Sequence, residues 1–271
     1  MISLDWKERL KKDAIDFFER KLPAGEFDID IVYNAYPQRI DNKVPHAVLT
    51  LVGKTLGSKI ARNAEKYFAF YDYLLKHKGD NGKIIFSYIM SKAVVRKPEV
   101  ILPYLEKYLF ILDDQKTANL ILDKTLFPIL KKNSAPYLDL INRWIKKDNK
   151  CLTGSIQKIL VKLIKLEPEM IKPLFCKLET SWMYATPNMI KLNSNFLKEI
   201  WKLDPDFYLS VFQNYQNTRN PLFAEILSGA MTVNHKILRN IAENWSLSGN
   251  IKLKKIGQHS LKMVQKFKVK G

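Results

Sequence analysis

Lysine is the residue type whose number and spacing carry most of the chemistry in this sequence. Residues 244–271 contain seven lysines and no aspartate or glutamate. Lys255, Lys262 and Lys266 are separated by seven and four residues, so a helix places them on one face. Because ammonium groups bind phosphates as point charges, this pattern predicts a cationic ladder for a polyanion.

The charge excess extends over most of the chain. The 271 residues carry 45 Lys and Arg against 27 Asp and Glu, a formal net charge of +18. Residues 1–42 hold 7 basic and 9 acidic residues, whereas residues 43–271 hold 38 and 18. An AT-rich genome explains why 37 lysines accompany only 8 arginines, but it does not explain the scarcity of acids. We therefore expect a polyanionic partner, with nucleic acid ahead of a membrane surface.

Other side chains offer little catalytic or metal chemistry. The four histidines are widely spaced, and Cys151 and Cys176 lie 25 residues apart with no partner at metal-ligand spacing. We therefore expect neither a metal nor a cofactor, and we expect a hydrogen-bonded structural role for His259. Gly53-Lys54-Thr55 has the ending of a P-loop, but it lacks the first glycine and a preceding strand, so we interpret it as chance.

The elements that must position these side chains are helices. Apolar residues recur at helical spacing almost throughout, and no segment sustains the alternation of a strand. Proline, glycine and asparagine interrupt the pattern at intervals of mostly 11 to 20 residues, which predicts short antiparallel helices. A hydrophobic content of 46% excludes disorder. No 18-residue apolar run and no signal peptide are visible, so we expect a cytoplasmic protein without membrane contact.

An internal repeat emerges when these interruptions are aligned. Residues 98–105 (PEVILPYL) recur as 168–174 (PEMIKPL), and more weakly at 205–209 and 135–139, with offsets of about 33 to 37 residues. Helical hairpins of this length cannot bury their apolar faces alone. The repeat therefore predicts an all-α fold, a HEAT-like α-solenoid that forms a single domain over residues 1–271. Residues 1–42 would form an acidic helical cap, and residues 43–271 the basic repeats.

The second helix of each hairpin lines the concave face of such a stack, and basic residues recur on these helices. Helix starts add free N–H groups and a positive dipole end, both of which suit phosphate. The aromatic residues of the loop-like stretch 181–187 would stack on bases or sugars, although core packing is an equal alternative for Trp182. The expected DNA-binding residues are Lys83, Lys92, Arg96, Lys150, Lys158, Trp182, Tyr184, Lys191, Lys252, Lys255, Lys262 and Lys266.

Two segments carry a resemblance to a known family. They are residues 143–152 (RWIKKDNKCL) and 255–266 (KIGQHSLKMVQK), and the first is echoed 101 residues later, with Trp245 and Asn250 in the places of Trp144 and Asn149. With hairpins of this length, the segments resemble the AlkD-like DNA alkylation repair family over residues 80–271. The resemblance implies a HEAT-like solenoid whose basic concave face holds duplex DNA.

The residues that the family uses for base excision are not matched. Active members have a Trp-x-x-x-Asp pair and an Arg beyond the Asp-Asn turn, and ungapped pairing places Gln115, Asn119 and Gly154 at these positions. An asparagine cannot carry the negative charge that would stabilise a cationic sugar, and glutamine cannot stack on a cationic base. With a shifted alignment, Asp113, Asp114 or Asp123 would supply the carboxylate.

The leading hypothesis is therefore a monomeric, non-catalytic DNA-binding protein related to alkylation repair glycosylases, which grips the duplex backbone in a basic groove. Two alternatives stay open. One is an active alkylpurine DNA glycosylase, and the other is a protein-interaction scaffold with an acidic partner.

Overall fold

The computed structural model describes residues 5–34, 36 and 43–267. Over these residues the chain is helical and contains no β-strand, which confirms the all-α prediction. It divides into two compact units, Met1–Asn133 and Ser134–Gly271.

The first unit contains eight α-helices within its described part, and a π-helical turn, Phe17–Lys21, continues the first of them. The helices are α1 (Trp6–Asp16), α2 (Asp30–Tyr33), α3 (His46–Ile60), α4 (Phe68–His77), α5 (Gly79–Arg96), α6 (Pro98–Leu109), α7 (Gln115–Lys124) and α8 (Leu126–Lys132). The described part of the expected acidic cap contributes α1 and α2, and both pack on α3.

The second unit contains eight α-helices within its described part. They are α9 (Leu138–Ile145), α10 (Lys150–Leu166), α11 (Ile171–Glu179), α12 (Pro187–Leu203), α13 (Pro205–Tyr215), α14 (Pro221–Ala230), α15 (Lys236–Ser246) and α16 (Ile251–Gln265). Single 3-10 turns at Ala135–Tyr137, Pro168–Met170 and Trp182–Tyr184 precede α9, α11 and α12.

Local sequence signals explain where the helices begin. Proline occupies the first position of α6, α12, α13 and α14, where its missing N–H needs no partner. Polar side chains just before the helices accept hydrogen bonds from first-turn N–H groups, including those of Asp114, Asn149, Thr186 and Asn250. Gly79, the first residue of α5, has a positive φ of 52°, which allows the sharp turn from α4. The starts at proline and asparagine agree with the interruptions that the sequence pattern predicts.

Two glycines allow the close packing of α3 against α5. A Cβ atom at Gly53 would lie 2.8 Å from the carbonyl oxygen of Ile85 and 2.8 Å from the Cβ of Tyr88. A Cβ at Gly57 would lie 3.0 Å from the Cα of Ile89. The Gly53-Lys54-Thr55 sequence is thus explained by helix packing, since only glycine leaves room for the α5 backbone.

The second unit has two layers of helices. The second helices of the hairpins pack side by side, α10 on α12, α12 on α14, and α14 on α16. Buried hydroxyl groups join this layer: Ser194 donates to the Ile226 carbonyl at 2.8 Å, and Ser260 bonds Ser228 at 2.7 Å. The first helices form the other layer, in which α9 contacts α11 and α13 contacts α15. Phe175 of α11 meets Phe207 of α13 edge to face at 5.4 Å.

Candidate nucleic-acid interface

The charge of the second unit is concentrated on one of its two layers. Helices α10, α12, α14 and α16 carry 11 basic and 2 acidic residues, and we refer to these four helices as the basic layer. Helices α9, α11, α13 and α15 carry 5 basic and 4 acidic residues. An even distribution would suffice for solubility, whereas this separation gives the basic layer an excess of positive charge.

Most lysines of the basic layer are not neutralised by protein carboxylates. The ion pairs seen in this unit use Lys165 and Lys202 with Glu199, and Lys177 with Asp139. Within the described part of the chain, none of the predicted contact lysines of this unit forms an ion pair. These lysines, all of them exposed, are Lys150, Lys158, Lys191, Lys252, Lys255, Lys262 and Lys266. They are available to external phosphates.

The terminal helix carries the predicted ladder. Lys255 and Lys262 lie in α16, and Lys266 follows directly after its last residue. The Asn250 side chain accepts hydrogen bonds from the N–H groups of Lys252 and Leu253, at 3.0 and 3.2 Å, which fixes where the helix begins. Since the start is fixed, the spacing of seven and four residues keeps the three ammonium groups on one face.

An open groove of about 620 Å³ crosses α12, α14 and α16. Lys252, Lys255 and His259 line its α16 side, and Glu225 lines its α14 side. His259 is exposed and makes no hydrogen bond within the described residues, so the expected hydrogen-bonded structural role is wrong. The helical period places His259 seven residues after Lys252 on the groove-facing side, whereas its neighbour Ser260 points into the α14–α16 interface.

The structure corrects the role of Trp182. Its ring is 1% exposed, and its indole N–H donates to the Asn193 side chain at 3.0 Å. The ring also packs edge to face against Phe175 at 5.7 Å, so it cannot stack on a nucleobase. Tyr184, two residues later, is 81% exposed and remains available.

The predicted contact residues of the first unit behave differently from one another. Lys92 and Arg96 are exposed at the end of α5. Lys83 is 28% exposed and pairs with Asp80 and Asp114, each at 3.4 Å. Because Asp114 caps α7, this lysine joins α5 to α7, and its charge is partly cancelled.

The sequence pattern did not predict an aromatic and cationic cluster in the first unit. The ammonium groups of Lys54 and Lys124 lie 5.6 and 5.3 Å from the ring centroid of Tyr88, and the His46 ring lies 6.2 Å from it. These side chains come from α3, α5 and α7. The sequence offers only the spacing of His46 and Lys54, which places two of these side chains along one helix. Tyr88 and Lys124 join them because the packing of the helices brings them together.

The positions that match the family's catalytic residues hold no acid. Gln115 and Asn119 lie one turn apart on α7, and the side-chain amide of Gln115 donates to the side-chain oxygen of Asn119 at 3.1 Å. Gly154 lies in α10 of the second unit. Neither amide can act as an anion, so these positions supply no carboxylate for base excision.

Of the alternative carboxylates, Asp114 is committed to capping. It accepts hydrogen bonds from the Lys116 and Thr117 N–H groups at 2.9 and 3.3 Å, and another from the Thr117 hydroxyl. The Thr117 hydroxyl is the main reason why the pKa of this carboxyl falls to about 2. Asp123 pairs with Lys124 at 2.9 Å, and Asp113 is exposed.

The segment that carries the family resemblance builds a turn. Trp144 is fully buried, Asp148 has a positive φ of 54°, and Asn149 caps α10 by accepting from the Leu152 N–H at 2.8 Å. The Asp148 carboxylate accepts hydrogen bonds from the Thr186 and Asn188 side chains at 2.5 and 2.9 Å, which holds its left-handed backbone.

The echo of this segment around Trp245 is also structural. The Trp245 ring is 2% exposed, its N–H donates to the Gln216 carbonyl at 3.2 Å, and Asn250 caps the next helix. In both places tryptophan ends one helix in the core and asparagine starts the next, as predicted.

The described ranges lack the side-chain clusters of a metal site and the long apolar helices of a membrane span. They contain no group of three or more His, Cys, Asp and Glu residues that could hold a metal ion. Neither Cys151 nor Cys176 forms a disulfide bond within these ranges. No helix in the same ranges is long and apolar enough to cross a membrane.

Comparison with known proteins identifies no relative. No family model matches the chain, and no match is found among curated proteins or solved structures.

Proposed function

We propose that this protein binds duplex DNA through the basic layer of its second unit, by contacts to the phosphate backbone. The observation that carries the proposal is the separation of charge: 11 basic against 2 acidic residues on one layer, and 5 against 4 on the other. Backbone contacts supply sequence-independent affinity, so the protein would recognise DNA by shape or distortion.

The arrangement of the hairpins supports a HEAT-like solenoid as the scaffold. The second helices of successive hairpins lie side by side in the second unit, with the first helices behind them. Stacked hairpins of this kind present a continuous surface made of second helices, and this surface is where the lysines lie. The resemblance of residues 143–152 and 255–266 to the AlkD-like family agrees with this arrangement.

DNA binding without base excision is consistent with the residues at the positions that match the family's catalytic residues. Gln115, Asn119 and Gly154 offer neither a carboxylate nor a cation. We therefore expect no release of N3- or N7-alkylated bases when the protein is incubated with methylated DNA. Detected release would instead establish the glycosylase alternative.

The binding proposal is tested by charge reversal on the terminal helix. We expect Lys255→Glu, Lys262→Glu and Lys266→Glu together to weaken binding to a labelled duplex of any sequence, measured by fluorescence anisotropy. The matched control is Lys146→Glu, Lys172→Glu and Lys236→Glu, which makes the same charge change at exposed positions on or beside the first helices. An equal loss in both variants would mean that only net charge matters and would contradict a defined face.

The alternative of a protein-interaction scaffold predicts a different result from affinity columns. Retention of the protein by an acidic protein column, together with no retention by immobilised duplex DNA at low salt, would overturn the DNA proposal. Elution from the DNA column at moderate salt supports it.

A further inference from the structure

The groove across α12, α14 and α16 has the size of a small-ligand site. Its volume of about 620 Å³ lies within the range of pockets that hold a compact organic molecule. The distance from Lys252 to His259 along α16 is about 10 Å, given a rise of about 1.5 Å per residue. A duplex cannot enter a groove of this length, whereas a single nucleotide unit can.

The walls of the groove are chemically different. The α16 wall presents three groups that can donate hydrogen bonds to an anion, Lys252, Lys255 and His259, at spacings of three and four residues. Glu225 of α14 is the carboxylate that lines the groove and accepts hydrogen bonds. The arrangement therefore suits a ligand with an anionic end and a hydrogen-bond donor elsewhere.

Three small residues line the groove between its two walls. Ser194 and Gly229 lie where α12 meets α14, and Ser228 lies where α14 meets α16. A Cβ atom at Gly229 would lie 2.5 Å from the Ser194 hydroxyl oxygen. Ile190 and Ile256 add apolar surface beside these small residues. A flat ring can therefore lie against backbone and aliphatic carbon, while the phosphate stays with the lysines.

Three helix N-terminal turns face the same end of the groove. Ile190, Pro221 and Lys252 belong to the first turns of α12, α14 and α16, and all three line it. The positive ends of the three helix dipoles add to the two lysines and favour an anion at this end.

From this combination we infer that the groove binds one nucleotide unit, with its phosphate on the Lys252, Lys255 and His259 wall and its base over Gly229. Glu225 would accept a hydrogen bond from an amino group of the base or a hydroxyl of the sugar. The nucleotide is either free or an unpaired unit of a strand. The strand version rests on the proposed DNA binding.

The probes are adenosine monophosphate, adenosine, inorganic phosphate and a short single-stranded oligonucleotide, each titrated by calorimetry into the full-length protein. We expect adenosine monophosphate to bind more tightly than adenosine or inorganic phosphate, because only the nucleotide uses both walls. Equal affinity for inorganic phosphate and the nucleotide would overturn recognition of the base. Tighter binding of the oligonucleotide than of the free nucleotide assigns the site to a strand, and the reverse assigns it to free nucleotide.

Adjacent lysines provide a matched pair of variants. Lys255→Glu reverses a charge that lines the groove, whereas Lys254→Glu makes the same change at an exposed position outside the groove lining. We expect Lys255→Glu to weaken nucleotide binding by about tenfold or more and Lys254→Glu to change it by less than about twofold. Equal effects of the two variants would overturn the assignment of the groove.

A variant that fills the groove distinguishes nucleotide binding in the groove from the proposed binding of duplex DNA. Ile256→Trp adds volume at a half-buried groove residue and leaves the charge unchanged. We expect the variant to lose nucleotide binding and to retain its affinity for fully paired duplex. Retained nucleotide binding would overturn the groove assignment alone, whereas wild-type protein that binds no duplex would overturn the proposed function.

Discussion

The two units use lysine for different purposes. The first unit, residues 1–133, has 23 basic and 17 acidic residues, and the second, residues 134–271, has 22 and 10. In the first unit, lysine ammonium groups join separate elements: Lys78 binds Asp28 and Asp30 at 2.5 and 2.9 Å, and Lys97 binds Glu65 at 2.8 Å. In the basic layer of the second unit, most ammonium groups face solvent.

The difference shows that the number of basic residues in a segment does not by itself determine how many of its lysines lie in ion pairs. The numbers of basic residues are nearly equal in the two units, and the number of carboxylates within reach of them differs. A lysine that already has a carboxylate partner must give up that partner to bind phosphate, whereas an unpaired lysine gives up only water. We therefore expect the second unit to dominate DNA affinity and the ion pairs of the first unit to contribute to its folding.

The largest expected effect is on DNA affinity. Combined replacement of Lys255, Lys262 and Lys266 by glutamate should weaken duplex binding by about a thousandfold at low salt. Each lost phosphate contact should also make the slope of log K against log salt less steep by about 0.9. Anisotropy titrations at several salt concentrations measure both numbers. The same titrations on Lys59→Glu, Lys83→Glu and Lys97→Glu test the comparison, since these lysines of the first unit are ion-paired. An equal drop in slope would remove the distinction between the units.

The next effect concerns the stability of the first unit. Gly53→Val should destabilise the protein by about 1–3 kcal/mol, because the added carbon atoms collide with the α5 backbone at Ile85. Chemical denaturation measures the change, and Gly249→Val is the control, because nothing lies within 4 Å of a Cβ atom there. If both variants unfolded at the same denaturant concentration, close packing of α3 and α5 would be contradicted.

A smaller effect is expected at the cap of α7. Asp114→Ala should cost about 1 kcal/mol, because it removes the acceptor for the first-turn N–H groups of Lys116 and Thr117. Asp114→Asn retains a capping oxygen and should recover most of the loss in thermal unfolding. A similar loss in both variants would show that the ion pair with Lys83 outweighs the cap.

The smallest effect is the pH dependence of this same group. The pKa of Asp114 is about 2 in the folded protein, below its ordinary value, so the folded state binds the proton more weakly than the unfolded state does. Its stabilising contribution is therefore complete above about pH 4 and is lost as the pH falls through about 2. The melting temperature of Asp114→Asn should converge with that of the wild type on acidification. A difference that stays constant down to about pH 2 would contradict this.

Several features could be predicted from the sequence because they depend on neighbouring residues. Proline at the first helical position, asparagine and aspartate caps, and buried tryptophans at helix ends are all local, and the structure places Pro205, Asn149 and Trp144 as expected. The positive φ of Gly79, the first residue of α5, is likewise a local property, since glycine tolerates it.

The errors concern residues whose surroundings come from distant parts of the chain. The Trp182 ring is enclosed by Phe175, Tyr215 and Phe223, which belong to three other helices. Lys83 owes one of its two ion pairs to Asp114, which lies 31 residues away. No local pattern indicates these partners, since they depend on which helices pack together.

The sequence alone determined the all-helical class, the helix starts at proline and asparagine caps, and the excess of positive charge, because helix periodicity, capping and composition depend on residues within a few positions. Only the tertiary structure decided which lysines are paired with carboxylates, which tryptophan is enclosed, and that His259 lies beside Lys255 and opposite Glu225 in a groove. The physical reason is that ion pairing and burial depend on contacts between helices, and these contacts join residues that lie tens of positions apart.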